Sequence, residues 1–223
     1  MSVLSVNVGP TRPVPYSDRP TGIDKRPVDG PVEVADPGPK GVGGSGLAGD
    51  MIGDKRHHGG SDQAVYAFAR EDLDQWEREL GRKLPDGSFG ENLTTVGIEV
   101  SDALIGERWR IGAPGTGVVL EVTDGRVPCR TFQGHLGEPG WVRRFTRHAR
   151  SGAYLRVIEP GAVRAGDAVE IVHRPDHGVT ASMAFRAQTT ERTLLPELLV
   201  AQDALGADLL RMAREYVAKY QRA

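Results

Sequence analysis

The chain has 223 residues, with 28 basic and 30 acidic side chains and a formal net charge of −2, which gives no global drive toward nucleic acid or an anionic membrane. A single cysteine excludes an intrachain disulfide framework and a zinc site built from several thiolates, and no stretch approaches the ~20 apolar residues that span a bilayer. An apolar fraction of 39% supports a real core, while 29 glycines and 15 prolines favour many turns between short strands.

Met1 to Gly9 lacks the basic flank and apolar run of a signal peptide, which together with the lone thiol points to the cytoplasm. Val3 to Val8 alternates and predicts a first strand, Thr11 to Pro20 a loop, and Pro31 to Val34 a short strand. Pro37 to Gly53 holds seven glycines and two prolines and predicts a long loop. Gln63 to Phe68 predicts a strand. Leu73, Trp76 and Leu80 share one face of a helix over Glu71 to Leu80, stopped by Gly81. Phe89 to Thr95 runs from loop into strand. Ile105 to Ile111 and Ala165 to Ile171 share one design, a Gly-acid turn that launches an alternating strand. Val118 to Val122 and Tyr154 to Ile158 are further strands. The expected architecture is mainly β, a Gly-rich β-barrel over residues 1–175 with few helices.

Beyond Pro175 glycine and proline thin out. Thr180 to Ala187, Leu194 to Ala201 and Ala204 to Tyr220 predict a three-helix C-terminal appendage over residues 176–223, separable from the barrel. A helix-turn-helix DNA reader is the alternative, but six basic against five acidic side chains from Gly178 onward leave no electrostatic footprint for DNA.

Three segments carry candidate chemistry. Cys129 follows Pro128 on an extended or turning stretch, and Arg126 and Arg130 flank it. Nearby cations favour the thiolate, the nucleophilic and metal-binding form; a buried, inert thiol is the competing reading. Lys55 to Asp62 joins Lys55, Arg56, His57 and His58 to Gly59 and Gly60, whose N–H groups could turn inward as an anion nest; an exposed basic loop is the competing reading. Asn92, in Phe89 to Thr95, offers donors and an acceptor to a heterocycle edge.

Thr21 to Val28, the Arg56 to Asp62 run ending in Ala64-Val65-Tyr66, Phe89 to Thr95, Pro128-Cys129, Tyr154 to Val157 and Gly166-Asp167 form an ordered series. This series resembles the MOSC family over about Ser2 to Lys219, in its bacterial branch with a three-helix extension linked to resistance against N-hydroxylated purines. The resemblance implies a barrel that binds a molybdenum–pterin cofactor, with Cys129 as the metal-facing thiolate. It implies Lys25, Arg56, His57, His58, Gly59, Arg126 and Arg156 as candidates for the cofactor, Asn92 against it, and Ser61 and Asp62 near the metal, with Asp62 as a second catalytic candidate. Pyridoxal phosphate binding is a further family-level expectation. Arg130-Thr131-Phe132 departs from the Lys or aromatic pattern expected after the cysteine and bears on the substrate shell; Asp36 to Gly46 reads as a local lid.

The activity implied is reduction of N-hydroxylated, hydroxylaminopurine-like substrates with electrons from a partner flavoprotein or iron–sulfur reductase. The chain has one cysteine, and its Gly-x-Gly-x-x-Gly spacings at Gly41–Gly46 and Gly44–Gly49 fall within the long expected loop and open no expected helix, so they do not make a dinucleotide motif and electrons are expected from elsewhere. The alternative is a non-enzymatic carrier of cofactor or of persulfide sulfur on Cys129. A hydrolase with metal on His57, His58 and Asp62 is a third, weaker reading. No nucleic-acid or membrane partner is expected, and a homodimer is among the assemblies allowed.

Overall fold

The computed structural model describes residues 1–220; the last three residues of the expected appendage lie outside that range. In chain order the elements are β1 (Ser2–Val8), β2 (Arg12–Val14), β3 (Ser17–Thr21), β4 (Arg26–Pro27), β5 (Val32–Val34), β6 (Val65–Ala69), α1 (Arg70–Leu80) and β7 (Leu93–Val96). There follow β8 (Arg108–Ile111), β9 (Val118–Asp124), α2 (Arg130–Leu136), α3 (Trp141–His148), β10 (Ala153–Glu159), β11 (Gly161–Val163), β12 (Val169–His173), α4 (Ala181–Thr189) and α5 (Ala207–Tyr220). No helix among the described residues is long and apolar enough to cross a membrane.

The strands assemble in the order β12-β8-β9-β10-β6-β7-β1-β4. Among the described residues only β6 and β7 pair in parallel, and α1 supplies the crossover that a parallel pair requires. The sheet then curls until its start meets its end. Ser2 bridges Ala168, Val3 N–H donates to Asp167 O, and Val169 N–H donates to Met1 O, so β1 closes against the start of β12. The two Gly-acid segments become neighbours in this barrel: Gly106 and Gly166 take positive φ, and Trp109 on β8 faces Ile171 on β12 in register. The core is expectedly apolar along β9, where even Glu121 is buried and held by Arg108 at 2.7 Å.

Three local expectations are corrected. Arg12–Val14 and Ser17–Thr21 form a small hairpin where prolines predict loop. Leu194 to Ala201 is two 3-10 turns, Arg192–Leu194 and Glu197–Ala201, instead of an α-helix. Residues 130–148 carry α2 and α3, which glycines at 134, 137 and 140 and Pro139 conceal. These two helices are held by burial: Phe132, Leu136, Trp141 and Phe145 are each spaced by four within their helix and join Trp76, Phe89 and Phe185 in one aromatic cluster.

Composition changes near Pro175, but packing does not break there. Ala184, Leu195, Leu198, Leu205, Leu209 and Ala213 belong to the same apolar cluster as Val6, Leu120 and Leu155 of the barrel. Phe185 of α4 meets Phe145 edge-on at 6.2 Å between ring centres. Removing the helices would uncover core on both clusters. Phe185→Ala is expected to lose ~3–5 kcal/mol in urea unfolding and to keep a single transition. A chain ending at Pro175 is expected to lose that cooperative transition, read by circular dichroism.

Candidate functional site

A cleft of about 500 Å³ opens between β3, the Met51 to Gly59 loop, and the Arg126 to Thr131 segment that joins β9 to α2. Its volume suits a ligand the size of a pterin. Four basic side chains line it, Arg19, Lys25, Arg126 and Arg130, against one carboxylate, Asp54. Asp54 is already engaged by Arg19 at 3.0 Å and by His57 Nδ1 at 3.1 Å. A chain without net positive charge thus concentrates cations locally, as an anionic ligand requires.

Cys129 is half-buried in this wall, in extended backbone immediately before α2. Burial pushes its thiol up, but His58 at its side, the Arg126 guanidinium and the Phe132 amide at the start of the helix outweigh that, so it falls to about 6. The Phe132 amide lies toward the sulfur without closing a regular capping bond. A thiolate is therefore the prevailing form at neutral pH. The groups beside the sulfur thus favour the thiolate reading over an inert core thiol.

Arg126 is the most constrained of the cations. Its guanidinium carbon lies 4.9 Å from the centre of the Tyr66 ring and 4.2 Å from that of Phe132. Arg126 Nη1 donates to Phe89 O. Tyr66 and Tyr154, from β6 and β10, complete the aromatic floor with ring centres 5.2 Å apart. Burial raises both phenols above their ordinary value, so both remain donors at neutral pH. Tyr66 spends its donor on Ser151 O at 2.9 Å.

The remaining sequence candidates divide. Lys25, His57, His58, Gly59, Asn92, Arg126 and Cys129 all line the cleft. Two of these are occupied by the fold. Lys25 is paired with both oxygens of buried Asp50, and burial lowers its ammonium. It is the one lysine among the cleft residues, so a pyridoxal phosphate aldehyde would find no free amine there. Asn92 donates to Asp50 Oδ2 at 2.9 Å and to Asn7 O at 3.3 Å, and its Oδ1 accepts from Tyr66 N–H at 3.1 Å. Its edge faces the protein, which departs from the expectation that it reads a heterocycle.

Arg56, Ser61, Asp62 and Arg156 are not cleft residues. Arg56 is exposed, 3.8 Å from Asp54. Asp62 lies at a second cavity of about 270 Å³, which also includes Ser61 and Asp124. There Asp62 accepts from Ala207 N–H at 2.8 Å at the start of α5 and pairs with Arg156 at 3.0 Å. Arg156 also donates to Ala204 O and Leu205 O, so this pair ties the barrel to α5. His57, His58 and Asp62 do not converge, and the described residues contain no group of three or more His, Cys, Asp or Glu arranged to hold a metal. Of the expected anion nest, the Gly60 amide is spent within the loop. Gly60 N–H donates to Gly44 O and Ser61 N–H to Gly38 O. A Cβ at Gly60 would lie 2.6 Å from Lys40 backbone, so the glycine serves close docking of the Gly-rich loop.

The residues missed at the sequence level are Arg19, Asp54, Tyr66 and Tyr154. The two tyrosines fall in expected strands, but only the barrel's curvature shows which face they present. Asp54 directly precedes the basic run and Arg19 sits in a segment expected to be loop, so neither carried a signal of its own.

Iodoacetamide labelling of Cys129 is expected to rise with a midpoint near pH 6 and to flatten above it; His58→Ala should move the midpoint upward. A midpoint at the ordinary thiol value would mean that burial, not the cations, governs this sulfur. Asp62→Ala is expected to cost ~1–2 kcal/mol in urea unfolding through the lost helix cap and to leave the labelling midpoint in place.

The MOSC domain family model matches residues 54–170. The chain is similar to the uncharacterized protein YflK of Bacillus subtilis, with 32% identity over 187 residues that span 83% of this chain and 79% of YflK. A protein of Gibberella moniliformis named Reductase is 30% identical over 122 residues, 53% of this chain and 21% of that protein. The crystal structure of YiiM from Geobacillus stearothermophilus shares the fold, with a TM-score of 0.75 over 96% of this chain and 97% of that chain at 24% identity. MOSC domains are associated in general with binding or sulfuration of the molybdenum cofactor. With the matched segment running from Asp54 at the cleft mouth through Cys129 to the last barrel strand, this chain belongs to the MOSC domain family.

Proposed function

We propose that the cleft binds a molybdenum–pterin cofactor and that the protein reduces N-hydroxylated compounds with electrons from a partner flavoprotein or iron–sulfur protein. The observation that carries this reading is the sole thiol, Cys129, presented to the cleft as a thiolate between Arg126 and His58. A soft thiolate suits a metal also bound by sulfur. The surplus of cations suits the pterin phosphate, and the buried Gln63 Oε1, which has no partner among the described residues, suits a donor on a heterocycle. The name of the fungal relative is in keeping with a reduction.

When bound, the cofactor supplies the metal that exchanges electrons and oxygen with substrate. The reaction consumes two electrons and two protons: the N–O bond of R–NH–OH breaks, and the products are R–NH2 and water. The chain's own part is to hold and shield. Cys129 Sγ would ligate the metal. Arg126, fixed between two rings, keeps that sulfur ionised before loading. His58 stands beside the sulfur with an imidazole nitrogen able to hold a proton. Arg19, His57 and the hydroxyls of Ser17 and Thr21 line the outer rim, where a phosphate would meet them. Tyr66 and Tyr154 close the floor against water.

The same low thiol value also suits a sulfur carrier, in which Cys129 holds a persulfide. Product formed per chain separates the two. Cofactor-loaded wild type with a chemical reductant is expected to turn over an N-hydroxylated purine many times, whereas Cys129→Ser, with a hard and protonated ligand, should lose at least 10²-fold, ~3 kcal/mol of barrier, with little change in stability. One equivalent of sulfur transferred per loaded wild-type chain would establish the carrier. Multiple turnovers by the serine variant would place the chemistry away from this sulfur.

A further inference from the structure

Three of the four cleft cations are accounted for by the fold: Arg19 pairs with Asp54, Lys25 with Asp50, and Arg126 is stacked between Tyr66 and Phe132 beneath the sulfur. Arg130 is different. It directly follows Cys129, is exposed, lines the cleft, and has no carboxylate partner among the described residues. It is also the first residue of α2, whose first turn contains no acidic side chain. A cation at that end of a helix is opposed by the helix dipole, so local structure gains nothing from the charge. Thr131, also on the cleft wall, offers a hydroxyl with no side-chain hydrogen bond among the described residues.

Cys129 thus separates a deep cation, Arg126, from an exposed one, Arg130. With the cofactor phosphate at Arg19, His57 and the rim hydroxyls, Arg130 would be left to a molecule arriving from solvent. We propose that Arg130 and Thr131 determine specificity by receiving an anionic group, a phosphate or a carboxylate, on the N-hydroxylated substrate. The guanidinium fork matches both groups with two parallel hydrogen bonds, and the adjacent hydroxyl can donate a third. The preferred substrate would then be an anionic N-hydroxylated compound, with its reacting nitrogen toward Cys129 and its charge toward the cleft mouth. This inference rests on the reductase reading above.

The test uses cofactor-loaded protein with a chemical reductant, so that no protein donor is involved. Two substrate pairs are compared, each neutral and anionic: N6-hydroxyadenosine with its 5′-monophosphate, and benzohydroxamic acid with its 4-carboxy derivative. Wild type is expected to favour the anionic member in kcat/KM by about tenfold or more, equivalent to ~1.4 kcal/mol, with a preference that shrinks as salt rises. Arg130→Gln should bring the ratio near one, and Arg130→Lys should restore part of it. A preference in the purine pair alone identifies phosphate as the group, and in the carboxylate pair alone carboxylate. As a second readout, adenosine 5′-monophosphate should slow iodoacetamide labelling of Cys129 in cofactor-free wild type more than adenosine does, and Arg130→Gln should abolish that difference. Turnover of every compound without anion preference would overturn the inference and leave the reductase standing. No turnover of any compound by fully loaded protein would overturn the reductase reading itself. A fall in bound molybdenum in Arg130→Gln would assign this arginine to the cofactor, and an unchanged wild-type ratio in that variant, with Arg130 serving an acidic partner protein instead, would equally overturn the inference.

Discussion

A guanidinium buried without a carboxylate lies under the cleft, and the arrangement around Cys129 depends on it. Burying an unpaired charge costs several kcal/mol unless other groups compensate. Around Arg126 the compensation is distributed. Two aromatic faces lie within 5 Å of the guanidinium carbon, each worth up to ~2 kcal/mol when desolvated, and the Phe89 carbonyl accepts a charge-assisted hydrogen bond. The thiolate supplies the remaining negative charge. A carboxylate partner would have neutralised Arg126 and weakened the pull on Cys129. The lack of one within ion-pair reach, among the described residues, leaves Arg126 free to act with His58 and the Phe132 amide in keeping the sulfur ionised.

This requirement extends outward through the aromatic cluster. Phe132 has to lie over Arg126, so α2 must begin directly after Cys129, and α3 must pack Trp141 and Phe145 beneath it. Trp76 from α1 and Phe185 from α4 close the cluster from two other directions. The position of one thiolate is thereby tied to the crossover helix, to the inserted helix pair and to the first C-terminal helix. Stability and site geometry draw on the same side chains.

Beside the aromatic side runs a polar one with a different purpose. Lys25, Asp50, Asn92 and Asn7 bond in sequence, and Asn7 continues through Thr94 to Glu91. Glu91 is buried and pushed up to about 7, although the amides of Gly87 and Phe89 oppose burial. This chain of bonds fixes the β1–β7 end of the barrel and the loop that carries Phe89. At the second cavity Asp124, the last residue of β9, is likewise pushed up to about 7 by burial and accepts from Gln188 of α4 at 2.6 Å. Gly59 and Gln63 line both cavities, so the wall between the two is a single loop.

The sequence by itself determined the local elements and the chemical endowment. Alternation marked β1; β6, β9 and β10 were legible as strands from their local composition; spacing of three and four marked α1 and α5; the paired Gly-acid turns marked β8 and β12; and a single cysteine left only one thiol to argue about. These features are legible because each depends on neighbours within a few positions. The tertiary structure alone decided which polar residues are free to act. Lys25 and Asn92 have the right chemistry and lie in the cleft, but Asp50, 25 and 42 positions away in sequence, has already engaged them. Asp62 and Arg156 serve α5, and the Gly60 amide serves the loop at Gly44. The helices α2 and α3 exist because the rings of α1, α4 and the Phe89 loop cover their apolar faces. Whether a side chain is spent or available depends on partners brought together only when the barrel closes, and composition and spacing carry no record of them.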